Sequence, residues 1–171
     1  MGNLFQVPPV GPSTHNLDAD DRLIIPQRMR GLLGSSFVLT RGVEKCLWIL
    51  PETLFTTMIQ GWTKDLSCLD ANSRKLAWRF VGQAVQVSVD KQSRVVLPLE
   101  LRESAGISSD RPIIALGMIN RVELWDLETW RQHEAALDGD SVQKALDAHM
   151  SPSALVGGEG AAEAGSAEVA P

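Results

Sequence analysis

Leu17-Asp18-Ala19-Asp20-Asp21-Arg22-Leu23-Ile24-Ile25-Pro26 returns 72 positions later as Val89-Asp90-Lys91-Gln92-Ser93-Arg94-Val95-Val96-Leu97-Pro98. In both stretches an Asp stands four places before an Arg, three apolar residues follow, and a Pro closes the run. The offset holds through Arg30 and Arg102 and through Gly34 and Gly106. Five extra residues in the second copy then bring Trp48 into line with Trp125. So many identities in order mark an internal duplication, and a duplication is to be sought before any element is assigned.

Each copy predicts the same supersecondary unit. Val85, Val87 and Val89 alternate with Gln86, Ser88 and Asp90 at the two-residue period of a half-buried strand. Residues 90–93 supply turn chemistry, because an Asp side chain accepts hydrogen bonds from amides just ahead of it, and the run 95–97 is expected to pair back as a hairpin. Pro98 ends that strand and suits the start of a short helix through Leu101 and Arg102, which Gly106 can terminate. Two more strands follow, near 113–116 and 122–125. The first copy predicts a hairpin around 19–21, a helix over 26–33 closed by Gly34, and strands near 37–40 and 46–50.

The expected fold class is therefore α+β, two tandem β-β-α-β-β modules forming one pseudo-symmetric domain with flanking helices. Its predicted divisions are an irregular N-terminal extension over 1–14, a first module over 15–62, a connecting helix over 63–83, and a second module over 84–137. Further helices are expected over 51–60, from Asn72 or Ser73 through Phe80, and over 127–137 with Asp126 as N-cap. Residues 138–171 are acidic and rich in Gly and Ala, and are expected to be largely disordered.

The formal net charge of -5 argues at first against a nucleic-acid partner. Its distribution removes that objection. Residues 134–171 hold seven acids and one base, Lys144, so the rest of the chain carries +1. Cys46 and Cys68 form neither a zinc spacing nor a disulfide framework, and read as buried or idle thiols. No apolar run is long enough to span a bilayer, and the first residues lack a signal peptide's pattern, so a cytoplasmic protein is expected. No catalytic constellation is visible: His133-Glu134 lacks the second His of a metalloprotease helix, the 31–34 stretch lacks the Lys-Ser/Thr ending of a phosphate loop, and no nucleophile elbow occurs. Neither enzyme activity nor a cofactor or metal is expected. The five tryptophans read as packing residues, and so does the basic segment Arg74, Lys75 and Arg79.

The doubled Asp-x-x-x-Arg motif, each copy followed by Pro four residues after the Arg, resembles the MraZ family, relatives of the AbrB and SpoVT-like modules. The likeness covers about residues 15–135. It is supported by Cys-Leu-Trp-Ile-Leu-Pro at 46–51, by Arg-Phe-Val-Gly-Gln-Ala at 79–84, and above all by Gly117-x-x-Asn120-Arg121-x-Glu123-Leu124-Trp125. The resemblance implies a transcriptional regulator that binds double-stranded DNA at short direct repeats upstream of the division and cell-wall genes. It also implies a homo-oligomeric ring and a place at the nucleoid. On this reading Arg22 and Arg94 are the DNA-binding residues, with Lys91 and Arg28 adding charge, while Asp18 and Asp90 form or anchor the turns.

An arginine at such a turn can grip guanine or clamp a phosphate with two bonds, whereas an Asp cannot favourably face phosphate. The chain departs from the family where Lys and Gly usually precede the arginine. Here those places hold Asp20-Asp21 and Gln92-Ser93, so altered turns and stronger DNA binding by the second half are expected. Arg28, Arg30 and Arg102 are read as solvated helix residues or partners of Glu100 and Glu103. The rival reading, a protein-interaction ring without DNA binding, rests on Asp20, Asp21, the missing glycines and the near-neutral body.

Overall fold

The computed structural model describes residues 10–65 and 71–150. In chain order the elements are β1 (Gly11–His15), β2 (Arg22–Ile24), α1 (Gln27–Leu33), β3 (Ser36–Arg41), β4 (Leu47–Pro51), α2 (Glu52–Asp65) and α3 (Ala71–Leu76), which runs on as a π-helical turn (Ala77–Val81). The second half brings β5 (Val85–Ser88), β6 (Arg94–Val96), α4 (Leu99–Ala105), β7 (Ile113–Met118), β8 (Arg121–Asp126), α5 (Leu127–Ala135) and α6 (Gly139–Met150). Each half is thus β-β-α-β-β followed by helix.

The halves are interlocked rather than set side by side. Six strands form one antiparallel sheet in the order β1-β7-β8-β4-β3-β5, and β2 pairs β6 in a separate two-stranded ribbon. Exchanging the halves returns the same order reversed. β1 pairs a second-half strand, His15 opposite Ile113, while β5 pairs a first-half strand, Ser36 opposite Ser88. This corrects the expected hairpins. The strands on either side of each turn leave it for different sheets, because each finds its long partner in the other half.

The core repeats the duplication. On one side of the large sheet Phe37, Leu39, Leu47, Ile49, Ile113, Ala115, Val122 and Leu124 are buried. Packed against them are Leu23, Ile25, Met29 and Leu33 together with Val95, Leu97, Leu101 and Ala105, each pair of equivalents separated by the same 72 positions. Met29 and Leu33, like Leu101 and Ala105, stand four apart on one helical face. Pro26 and Pro98 start α1 and α4 from extended backbone, their carbonyls accepting from the amides of Arg30 and Arg102. Gly34 and Gly106 close those helices at positive φ.

On the other side of the sheet Cys46, Ile114, Leu116 and Trp125 are buried, with Trp48, Leu127 and Trp130 against them. Trp48 stacks on Phe80 with centroids 5.2 Å apart, and the Arg121 guanidinium lies 4.6 Å from the Trp48 ring. Arg121 also holds the buried Glu123 carboxylate, whose other oxygen accepts from Trp125 Nε1. Burial pushes the Cys46 thiol up to about 12, so it is un-ionised and inert near neutrality. Cys68 lies outside the described residues.

Arg79 is structural, as its segment reads. Its Nε and Nη2 donate to the carbonyl of Gly42, and Nη2 also reaches those of Val43 and Glu44, so one guanidinium ties down the β3–β4 loop. A Cβ on Gly42 would overlap Cys46 Sγ and lie 2.8 Å from Trp48 Nε1. Gly42→Ala is accordingly expected to destabilise the fold by about 1–3 kcal/mol, read from the denaturant midpoint at unchanged slope.

Two boundaries differ from expectation. Residues 11–14, placed in an irregular extension, belong to edge strand β1, where Pro12 costs little because an edge can spare a donor. Residues 139–150, placed in the disordered tail, form α6, capped by Asp138, which accepts from the Ser141 amide and hydroxyl. Residues 1–9 and 151–171 lie outside the described residues. By compactness the chain divides after Arg131, and α6 belongs to the second unit.

Candidate nucleic-acid interface

The two Asp-x-x-x-Arg motifs form the same tight turn twice. Asp18 Oδ1 accepts from the amides of Asp20 and Arg22, and Asp90 Oδ1 from those of Gln92 and Arg94, all at 2.8–2.9 Å. The Asp18 amide donates to the Arg22 carbonyl and the Asp90 amide to that of Arg94, closing each loop on itself. This is the chemistry of an Asx turn, and it explains why Asp stands first in each motif.

The residues in the places of the missing glycines adopt a glycine's conformation. Asp21 has φ 59° and Ser93 φ 62°, so both turns keep the left-handed residue that a non-Gly side chain reaches only at a cost. What these side chains gain is a contact across the halves. Arg102 Nη2 donates to Asp21 Oδ2 at 2.7 Å, and Arg30 Nη1 donates to Ser93 Oγ at 2.7 Å. Each helix arginine thus clasps the turn of the opposite half. Arg30 and Arg102 were expected to be solvated or paired with Glu100 and Glu103, and their partners are these turn residues instead. The backbone repeats the exchange: the Ile25 amide donates to the Ser93 carbonyl, and the Leu97 amide to that of Asp21.

These clasps bring both motifs to one edge of the fold, on the β2–β6 ribbon. Arg22 faces Val96, Leu23 faces Val95, and Ile24 faces Arg94. Leu23 and Val95 point into the core, so Arg22, Ile24, Arg94 and Val96 share the outward side. Arg22 pairs with Asp20 at 3.0 Å. Arg94 is held more fully, at 2.9 Å by Asp90 of its own turn and at 3.4 Å by Asp18 of the other. Lys91 is exposed at the tip of the second turn. Arg28 stands apart, its Nη2 donating to the Pro12 carbonyl of β1.

The electrostatics follow from these bonds. The Arg22 amide, with that of Asp20 and the charges of Arg22 and Arg94, holds the Asp18 carboxyl below its ordinary 3.8, and the Arg94 amide and side chain do the same for Asp90. The hydrogen bond to Asp90 keeps the Arg94 guanidinium more firmly protonated. A carboxyl depressed in the folded state contributes stability above its unfolded pKa and loses it as pH falls through the folded one. The turns are therefore expected to be indifferent to pH between 5 and 8 and to weaken only below about 4. Thermal midpoints taken from about pH 8 down to about pH 3 should fall only at the acid end, and an Asp18→Asn, Asp90→Asn variant should show less of that loss.

A chain of two interlocked repeats, presenting paired arginine turns on one ribbon, is a duplicated α+β module. The family model described as "MraZ protein, putative antitoxin-like" matches residues 10–77 and again 80–150, once for each half. A relative from Clostridium beijerinckii named transcriptional regulator MraZ is 33% identical over 81% of this chain and 96% of its own length. Relatives of the same name from Desulforamulus reducens and Lactiplantibacillus plantarum are 35% and 37% identical, each over 80% of this chain and over 94% and 97% of theirs. The chain belongs to the MraZ family.

Proposed function

We propose that this chain is a transcriptional regulator, not an enzyme, that binds double-stranded DNA through the outward side of the β2–β6 ribbon. The observation that carries the reading is the placement of Arg22 and Arg94, 72 residues apart in sequence, on paired strands of one two-stranded ribbon. A ribbon of that width can enter the major groove, where an arginine fork reads guanine or grips phosphate. The relatives' name supports the regulatory role.

In the free protein both forks are engaged by carboxylates. Binding exchanges those exposed, weak pairs for DNA acceptors, and the Asp residues keep the forks aimed outward until it does so. Lys91 adds charge at the second turn and Asp20 subtracts it at the first, so the second half contributes more of the affinity, while Arg28 on α1 adds a cation beside the ribbon.

The finer reading is a homo-oligomeric ring at the nucleoid that holds short direct repeats upstream of division and cell-wall genes. One ribbon makes few contacts, and several linked ribbons turn later contacts into intramolecular ones. Mobility shift with the chain's own upstream DNA, at stated salt, tests the first part, and native mass measurement tests the second. Retarded bands that weaken steeply with salt and a mass of several chains are expected. Indifference to that DNA at low salt would leave an interaction protein, and a strict monomer would remove avidity.

A further inference from the structure

The ribbon carries two apolar side chains that neither the core nor the turns use. Ile24 is 57% exposed and Val96 54% exposed, at equivalent places in the two halves. Their sequence neighbours Leu23 and Val95 are 1% and 2% exposed, so the ribbon has a clear inner and outer side. The register sets each apolar residue directly opposite the other half's arginine, Ile24 against Arg94 and Val96 against Arg22. Cross-strand neighbours lie about 5 Å apart, so the outer side is a square of two forks and two branched hydrocarbons on alternate corners. None of its four corners is an acid, since Asp18, Asp20 and Asp90 belong to the turns.

We propose that Ile24 and Val96 read thymine methyl groups in the major groove, each beside an arginine that fixes the neighbouring base pair. This rests on the DNA-binding reading of the same ribbon. The C5 methyl is the one apolar feature a base pair shows in that groove, and a hydrocarbon pressed on it gains by excluding water. The arginines supply the complement for the polyanion, so the mixed pattern fits DNA better than an apolar protein surface. The approximate two-fold relation between the halves gives the two residues two-fold-related steps of the duplex. The expected preference is a thymine next to each guanine that an arginine reads.

Replacing thymine by uracil removes the methyl and keeps base pairing, which isolates this contact. The probe is the strongest-binding duplex selected from a random-sequence pool with the full chain, remade with deoxyuridine at every thymine. A buried methyl is worth about 4-fold in affinity, so two should cost the parent about 10- to 20-fold on the uracil duplex. An Ile24→Ser, Val96→Ser variant, with far-ultraviolet dichroism and native mass as the parent's, should bind the thymine and uracil duplexes alike.

Equal binding of both duplexes by the parent would overturn the proposal and leave the arginine reading standing. Discrimination kept in the double variant would assign the methyl contact to other residues and overturn it as well. A variant that folds but falls to a smaller native mass would make these residues a contact between copies of the chain. Failure of the parent to select any duplex would remove the DNA-binding reading and this proposal together.

Discussion

An Arg22→Ala, Arg94→Ala variant is expected to bind its DNA at least about 30-fold more weakly than the parent while remaining folded. A bidentate arginine contributes about 1–3 kcal/mol of discrimination at a base pair, and two of them at one ribbon span a factor of about 30 to about 25,000. The cost to the fold is small by comparison. Both arginines are partly exposed and their ion pairs are surface pairs, each worth about 0–1 kcal/mol. The chain offers its own control, because Arg102 is nine-tenths buried and bonds Leu97 O and Asp21. Arg102→Ala should lower stability and so act on DNA binding only through unfolding. Titrations followed by anisotropy, with thermal melts on the same samples, separate the two effects.

Neither half cut from the chain is expected to exist as a folded monomer. A first half alone leaves β1 without β7, β4 without β8 and β2 without β6. The buried set Leu23, Ile25, Met29 and Leu33 then faces no counterpart. Such a fragment can bury that surface only by pairing with a second copy or with the complementary half. Far-ultraviolet dichroism and sedimentation over a dilution series should show structure that vanishes as mass falls to that of one fragment. Mixing the halves should restore it. A stable, folded, monomeric half would contradict the interlocked topology.

The duplication, the element order and the core-facing positions were all legible in the chain, because each is written in local spacing. Leu23 and Val95 announce themselves by strand period, and Met29 and Leu33 by helical period. What the spacing does not carry is the identity of a strand's partner. The turn at Asp90 closes in the same way whether Val85–Ser88 folds back on Arg94–Val96 or pairs Ser36–Arg41, and only the second choice also fills the large sheet. Pro12 hid β1, since a proline signals a break unless the strand lies at an edge.

Helix α6 was concealed by averaging its residues with the Gly- and Ala-rich stretch behind it. Read alone, Asp138 followed by Val142 and Leu146 is a cap and a four-residue spacing. At the candidate interface the Asp and Arg pair was plain. The missing glycines suggested altered turns, and the structure keeps the left-handed residue with Asp21 and Ser93 while drawing Arg102 and Arg30 across to them. The 72-residue offset relates both of those pairs, and it was the available sign of the reciprocal clasp. Ile24 and Val96 are hidden in the sequence because the middle residue of an apolar triplet reads as core until the residues on either side of it are found to be the buried ones.

The central claim is that one surface, the ribbon with its two turns, meets DNA in both halves at once. Hydrogen–deuterium exchange of the full chain, with and without a specific duplex, tests it most directly. Protection confined to peptides covering 17–25 and 89–97 is the predicted result. Protection on the basic α3 segment around Arg74 and Lys75, with both turns unchanged, would contradict it.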